Sequence, residues 1–189
     1  ESALPSFRGS LGKDFNEEEF LSALPEFRNL GFREMKLYFM IGIPGSGFEE
    51  AEEIVKMVKR WQRETGISFN LTVSLFVPKP HTGWEREAFQ GRDIIHAKTG
   101  FLRDRFKRRA NVTSFGSSYL EAVLARGDEK LSEVIHRAYR NGALMDQWGE
   151  HFNWQAWEKA FQEEGIDPDS YAYRKYGETE SLPWEFIKI

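Results

Sequence analysis

The sequence predicts an α/β fold that gives way to a helical C-terminal region. Three observations carry that expectation. A nearly continuous apolar run occupies residues 35–43, an amphipathic helix pattern fills 49–65, and an alternating strand pattern follows over 69–77. Strand, helix and strand joined by short connections make the βαβ unit of a parallel sheet. This order alone does not separate a closed barrel from an open sheet.

The elements follow in chain order. A helix is expected over 14–29, where Asp14 or Asn16 can accept the free amide hydrogens of the first turn. Glu17, Glu18 and Glu19 suit the positive end of its dipole. Phe20, Leu21, Leu24 and Phe27 recur at helical spacing, Pro25 threatens a kink, and Gly31 ends the segment. The run 35–43 has the composition of a parallel strand covered on both faces. Pro44, Gly45, Ser46 and Gly47 then form a turn. In 49–65, Ala51, Ile54, Val55, Val58 and Trp61 make one apolar stripe, and Gly66 stops the helix. In the next strand Leu71, Val73 and Leu75 alternate with Asn70, Thr72 and Ser74, until Pro78 and Pro80 end it. Residues 84–109 are polar and partly helical, and 111–115 suit a short strand. Helices are expected over 118–126, 129–141, 153–164 and 168–175. The α/β part is therefore assigned to 1–115 and the helical extension to 116–189.

Composition sets limits on function. The chain has 189 residues, 40% hydrophobic and 30% charged, which is ordinary for a globular protein. A net charge of −4 argues against a wholly basic nucleic-acid binder, although not against a local basic patch. With no cysteine, the chain can hold neither a disulfide nor a thiolate-bound zinc or iron–sulfur centre. The longest apolar stretch is too short to span a bilayer, and the N-terminus has no signal-peptide pattern. The expectation is a cytoplasmic protein without a membrane partner. No initiator methionine precedes Glu1, so a fragment or a processed product is expected.

Four features point to chemistry. The turn Ile41-Gly42-Ile43-Pro44-Gly45-Ser46-Gly47 sits between a strand and a helix, where parallel sheets bind ligands. It lacks the Gly-Lys-Ser/Thr ending of a phosphate-binding P-loop, and a tight turn that only needs glycine is the plainer reading. Pro78 and Pro80 stiffen the loop that leaves the second strand. His81, His96, His136 and His151 show no i, i+4 spacing of the zinc-enzyme type. The cations Arg92, Lys98, Arg103, Arg105, Lys107, Arg108 and Arg109, interrupted by Phe101 and Phe106, suit RNA or tRNA as a partner, or simply a solvated basic helix face. Trp154, Trp157 and Phe161 share one helix face and suit a core.

Several segments taken together resemble the radical S-adenosylmethionine (SAM) enzymes. The run Lys36-Leu37-Tyr38-Phe39-Met40-Ile41-Gly42-Ile43-Pro44-Gly45 resembles the fifth barrel strand of that family. Phe76-Val77-Pro78-Lys79-Pro80-His81-Thr82 resembles the end of the sixth. The tail is similar to a subgroup with an N-terminal cobalamin-binding-like domain. It shares a Leu-Glu-Ala-Val-Leu-Ala-Arg-Gly-Asp block at 120–128, Trp148-Gly149-Glu150-His151-Phe152, and Leu182-Pro183-Trp184. The order and rough spacing agree over residues 10–189.

The resemblance implies the C-terminal part of a partial (βα)6 TIM-like barrel followed by a mostly helical extension. It implies an enzyme that reductively cleaves SAM at a 4Fe–4S cluster to give a 5′-deoxyadenosyl radical. The cluster ligands would lie outside this chain, in a Cys-x-x-x-Cys-x-x-Cys loop of the missing N-terminal half, with cobalamin in an upstream domain. This chain alone would then be inactive. The implied SAM contacts are Glu1, Ile41, Gly42, Ile43, Phe76, Val77 and Pro78. The family's Gly-Glu-Thr after its fifth strand is here Gly45-Ser46-Gly47, and the family's Ser-Glu-Arg falls on Leu4-Pro5-Ser6. A non-catalytic module derived from the same fold, binding RNA or serving a structural role, is the alternative.

Overall fold

In the computed structural model, residues 2–12 and 15–188 are described, and the chain packs as two compact units. The first comprises Glu1–Leu75 and Arg92–Thr113, and the second comprises Phe76–Gly91 and Ser114–Ile189.

The first unit is built on parallel strands. Helices α1 (Pro5–Ser10) and α2 (Glu17–Asn29) precede β1 (Glu34–Ile41), α3 (Glu49–Thr65) and β2 (Ser68–Leu75). Helix α4 (Arg92–Phe106) and a 3₁₀ turn then lead into β3 (Ala110–Val112). Of the two candidate caps Asn16 caps α2, its side chain accepting the Glu19 amide hydrogen at 3.1 Å, and Asp14 lies outside the described residues. Pro25 sits inside α2 without ending it. Helix α3 covers the expected span, and Gly66 closes it at φ 67°, a backbone angle that glycine adopts without a Cβ penalty. β1 and β2 are parallel and in register from Glu34 opposite Ser68 to Ile41 opposite Leu75, and β2 pairs in parallel with β3.

Burial alternates along both strands. Phe39, Ile41, Phe69, Leu71, Val73 and Leu75 are buried, while Lys36 and Tyr38 are exposed and Asn70, Thr72 and Ser74 are half-buried. The expected burial of the first strand on both faces is therefore not found, since Tyr38 remains 60% exposed. Ile54, Val58 and Trp61 bring the stripe of α3 into the core, joined by Ile95 and Leu102 of α4.

The barrel expectation is corrected by the sheet. It is an open, three-stranded, all-parallel sheet in the order β1-β2-β3. Among the described residues β1 pairs with β2 alone, and β3 pairs with β2 over three residues. Closing a barrel requires first and last strands to meet with a consistent tilt and stagger, which three strands cannot supply. The chain forms no strand among the described residues after Val112.

The second unit is helical. It contains α5 (Phe115–Ala125), α6 (Leu131–Arg140), α7 (Trp154–Glu164) and the short α8 (Asp169–Ala172). Asn153 caps α7 by accepting from the Ala156 amide, and Trp157 donates its indole hydrogen to Asp146 at 2.9 Å. Trp157 and Trp184 are core residues, whereas Trp148 is 52% exposed. The Leu182-Pro183-Trp184 block packs Leu182 and Trp184 with Tyr176 in one buried cluster. Among the described residues no helix is long and apolar enough to cross a membrane.

Glu85 anchors the Trp184 end of this unit. One of its oxygens accepts from the Trp184 indole and from the His81 amide, both at 2.9 Å. The Trp184 hydrogen bond, opposed by burial and helped by the His81 amide and the nearby Arg86, holds the carboxyl below its usual value of 4.5. A carboxylate lowered on folding stabilises fully above its unfolded value and loses that contribution as pH falls through the folded one. The unfolding midpoint in urea should therefore drop below about pH 4.5, and Glu85→Gln should flatten that acid limb. Identical acid limbs in the two proteins would remove Glu85 as the cause.

Candidate functional site

The candidate site is the turn that leaves β1. Gly42 and Gly45 hold φ of 86° and 84°, the left-handed region that L side chains rarely adopt. The Ser46 amide closes the turn on the Ile43 carbonyl at 2.9 Å. Helix α3 begins just beyond it, with Glu49, Glu50 and Glu52 in its first turn.

A buried ion pair lies beneath this turn. Glu50 Oε2 accepts from three groups: the Gly42 amide at 2.8 Å, Ser46 Oγ at 3.1 Å and Lys98 Nζ at 2.8 Å. Lys98 also donates to Ser46 Oγ at 3.1 Å. Glu50 and Lys98 have side-chain exposures of 0%. Glu50 Oε1 is buried with no hydrogen-bond partner among the described residues. No motif in the sequence marks this constellation, although spacing carries a signal for it. Glu50 lies four residues before Ile54 and eleven before Trp61, so it falls within the apolar stripe. Lys98 lies three residues after Ile95 and four before Leu102 on the buried face of α4.

Two of the turn's amide donors are taken by the chain's own carboxylates. Gly42 gives its amide hydrogen to Glu50, and Gly47 gives its own to Glu49 at 2.7 Å. The Gly47 amide, aided by the amide of Glu49 itself, holds the Glu49 carboxyl below its usual value. A helix N-terminus dressed with its own acidic groups repels a phosphate. The turn therefore suits a neutral group better than an anion.

The residues implied as SAM contacts fall as follows. Ile41 and Ile43 are fully buried, and Gly42 is buried between them. In the second unit Phe76 and Pro78 are buried and Val77 is half-buried, with the Phe76 ring 5.7 Å from Trp84 in an edge contact. Glu1 lies outside the described residues. Within the first unit β1 and β2 end side by side, at Ile41 and Leu75.

Other expected features fare differently. Lys98 leaves the basic stretch for the core, and Arg103 reaches the Val112 carbonyl at 3.4 Å. Arg92, Arg105, Lys107, Arg108 and Arg109 are exposed. The four histidines are exposed, and no group of three or more His, Cys, Asp or Glu side chains among the described residues is placed to hold a metal.

No protein-family model matches the chain, and no solved structure matches it. The chain is similar to MJ0966, an uncharacterized protein of Methanocaldococcus jannaschii, with 31% identity over 139 residues. The match covers 71% of this chain and 30% of the relative, so the chain spans under a third of that protein's length.

Proposed function

We propose that this chain is the SAM-facing segment of a longer radical SAM enzyme, with the substrate of that enzyme left open. The observation that carries the reading is the resemblance of residues 36–45 and 76–82 to two strand ends of that family, with the tail blocks in matching order. Support comes from the parallel pairing that ends β1 and β2 side by side, at Ile41 and Leu75. The β1 turn also fits adenine, a neutral base, better than a phosphate, because its own carboxylates already take the Gly42 and Gly47 donors. In this reading Ile41, Gly42 and Ile43 are SAM contacts that the resemblance implies, and so, taken separately, are Phe76, Val77 and Pro78. Glu1 contacts the ribose or the amino-acid end of SAM.

The cluster finds no ligand here, since the 189 residues contain no cysteine. A 4Fe–4S group and any cobalamin belong to parts of the protein outside this chain. What this chain supplies is binding and orientation of SAM.

The experiment uses the full-length protein from the natural gene, with its cluster rebuilt under anaerobic conditions. SAM should bind, and 5′-deoxyadenosine should form on addition of a reductant. A reconstituted protein that neither binds nor cleaves SAM refutes the proposal. RNA or tRNA binding through Arg92, Arg105 and Lys107 to Arg109, lost at raised salt and absent from an alanine variant of these five, would favour the alternative module.

A further inference from the structure

We infer that Glu50, Ser46 and Lys98 are positioning residues that latch the strand-end turn 42–47 in its ligand-ready shape, a role that rests on the SAM reading for the identity of the ligand. The observation is a single carboxylate oxygen that gathers three separate pieces of the first unit. Glu50 Oε2 takes the Gly42 amide from the end of β1, the Ser46 hydroxyl from the turn and the Lys98 ammonium from α4. Ser46 is itself 5% exposed, and the other two side chains are fully covered.

Stability does not account for such an arrangement. Removing two charges from water costs about what their attraction returns, and apolar residues of similar volume often serve as well or better. What the arrangement does provide is direction. A hydrogen bond to a carboxylate fixes where the Gly42 amide points, and the Lys98 to Ser46 bond fixes the other end of the turn. Gly42 and Gly45, both at positive φ, allow a backbone that other residues would strain, and glycine alone would leave that backbone loose. The latch removes the looseness. It also turns the Gly42 donor inward, so that the turn shows a neutral base a surface without a free amide at this point.

Gly42→Val is a poor probe, because a β-branched side chain at φ 86° strains the backbone whether or not a ligand binds there. The informative variant is Glu50→Gln with Lys98→Met in the full-length protein, which removes both charges together and keeps both volumes. Two measurements are made on it. Amide hydrogen exchange in the peptide containing 42–47 should accelerate about tenfold, while exchange in β1 and β2 stays as in the wild type. The KM for SAM should rise about tenfold with kcat changed less than about twofold, the mark of weakened ground-state binding. Unchanged exchange in the turn overturns the latch. Faster exchange with an unchanged KM overturns its positioning role. Should the wild type not bind SAM at all, the functional reading fails, and the exchange measurement still decides whether the latch exists. If the double variant does not fold, Ser46→Ala, which leaves the charges paired, is put through the same two measurements. The same outcomes decide, at about threefold rather than tenfold.

Discussion

Arg126→Met lowers the stability of the second unit by at least about 3 kcal/mol, because four backbone carbonyls lose their shared donor. The Arg126 side chain is fully buried. Its guanidinium donates to the carbonyls of Glu85 and Tyr171, each at 3.1 Å, and also to those of Glu87 and Arg174. It lies 5.0 Å from the centre of the Tyr176 ring, whose hydroxyl reaches back to the Arg126 carbonyl at 3.4 Å. One side chain thereby ties the end of α5 to the loop 85–87, to α8 and to the segment after it. Burial is the main influence on the group and lowers its pKa, which Tyr176 and Glu87 partly offset, and it stays charged at neutral pH. Methionine fills much of the volume but offers no donor, so the buried carbonyls are left without partners. Arg126→Lys should fall in between, because an ammonium has three donors and no planar fork. Denaturant unfolding followed by circular dichroism and tryptophan fluorescence measures both variants. A loss below about 1 kcal/mol for the methionine variant would mean that water replaces the guanidinium without cost.

Much of the fold is legible in the sequence where a segment's period and its boundaries agree. Helix α3 is the clearest case. Its stripe of Ala51, Ile54, Val55, Val58 and Trp61 is closed by a glycine that takes the left-handed angle such an ending requires. The parallel pairing of β1 and β2 follows from the same βαβ pattern. Helix α1 carries no such signal, being six residues long with no buried side chain. The open sheet was not legible, because closure depends on pairing between distant segments, and local periodicity carries no information about that. The resemblance to a barrel family supplied closure by analogy, and the three-stranded sheet does not follow it.

The candidate site was legible in its position and hidden in its chemistry. Gly42 and Gly45 mark a turn at a strand end, and both take the positive φ that their identity suggests. The groups beneath the turn come from Glu50 and Lys98, 48 residues apart, so no local pattern joins them. Each looked ordinary in its own segment, Glu50 among the acidic residues at the start of a helix and Lys98 in a basic stretch. Arg126 is a similar case. It stands in the Leu-Glu-Ala-Val-Leu-Ala-Arg-Gly-Asp block that suggested a family, while its four carbonyl partners lie 39 to 48 residues away.

Trp61→Ala should cost the first unit about 3–5 kcal/mol, the range for emptying a large aromatic site that cannot collapse. Trp61 is 2% exposed. Its ring lies 4.9 Å from that of Phe20, 5.9 Å from Phe15 and 6.2 Å from Phe69, so it joins α3 to α2 and to β2. It also lines a pocket of about 270 Å³ that opens to solvent and is shared with Phe15, Phe20 and Met57. The indole hydrogen goes to Glu17 at 2.7 Å, and the same carboxylate oxygen pairs with Arg60. Trp61→Phe separates the two contributions. Phenylalanine keeps most of the ring packing and loses the hydrogen bond, while Arg60 still satisfies Glu17, so that variant should lose only about 1–2 kcal/mol. Urea unfolding of the three proteins gives the comparison. Equal losses for alanine and phenylalanine would assign the effect to the Glu17 hydrogen bond. The larger loss expected for alanine assigns it to packing, the interaction that holds α2 and α3 against the sheet.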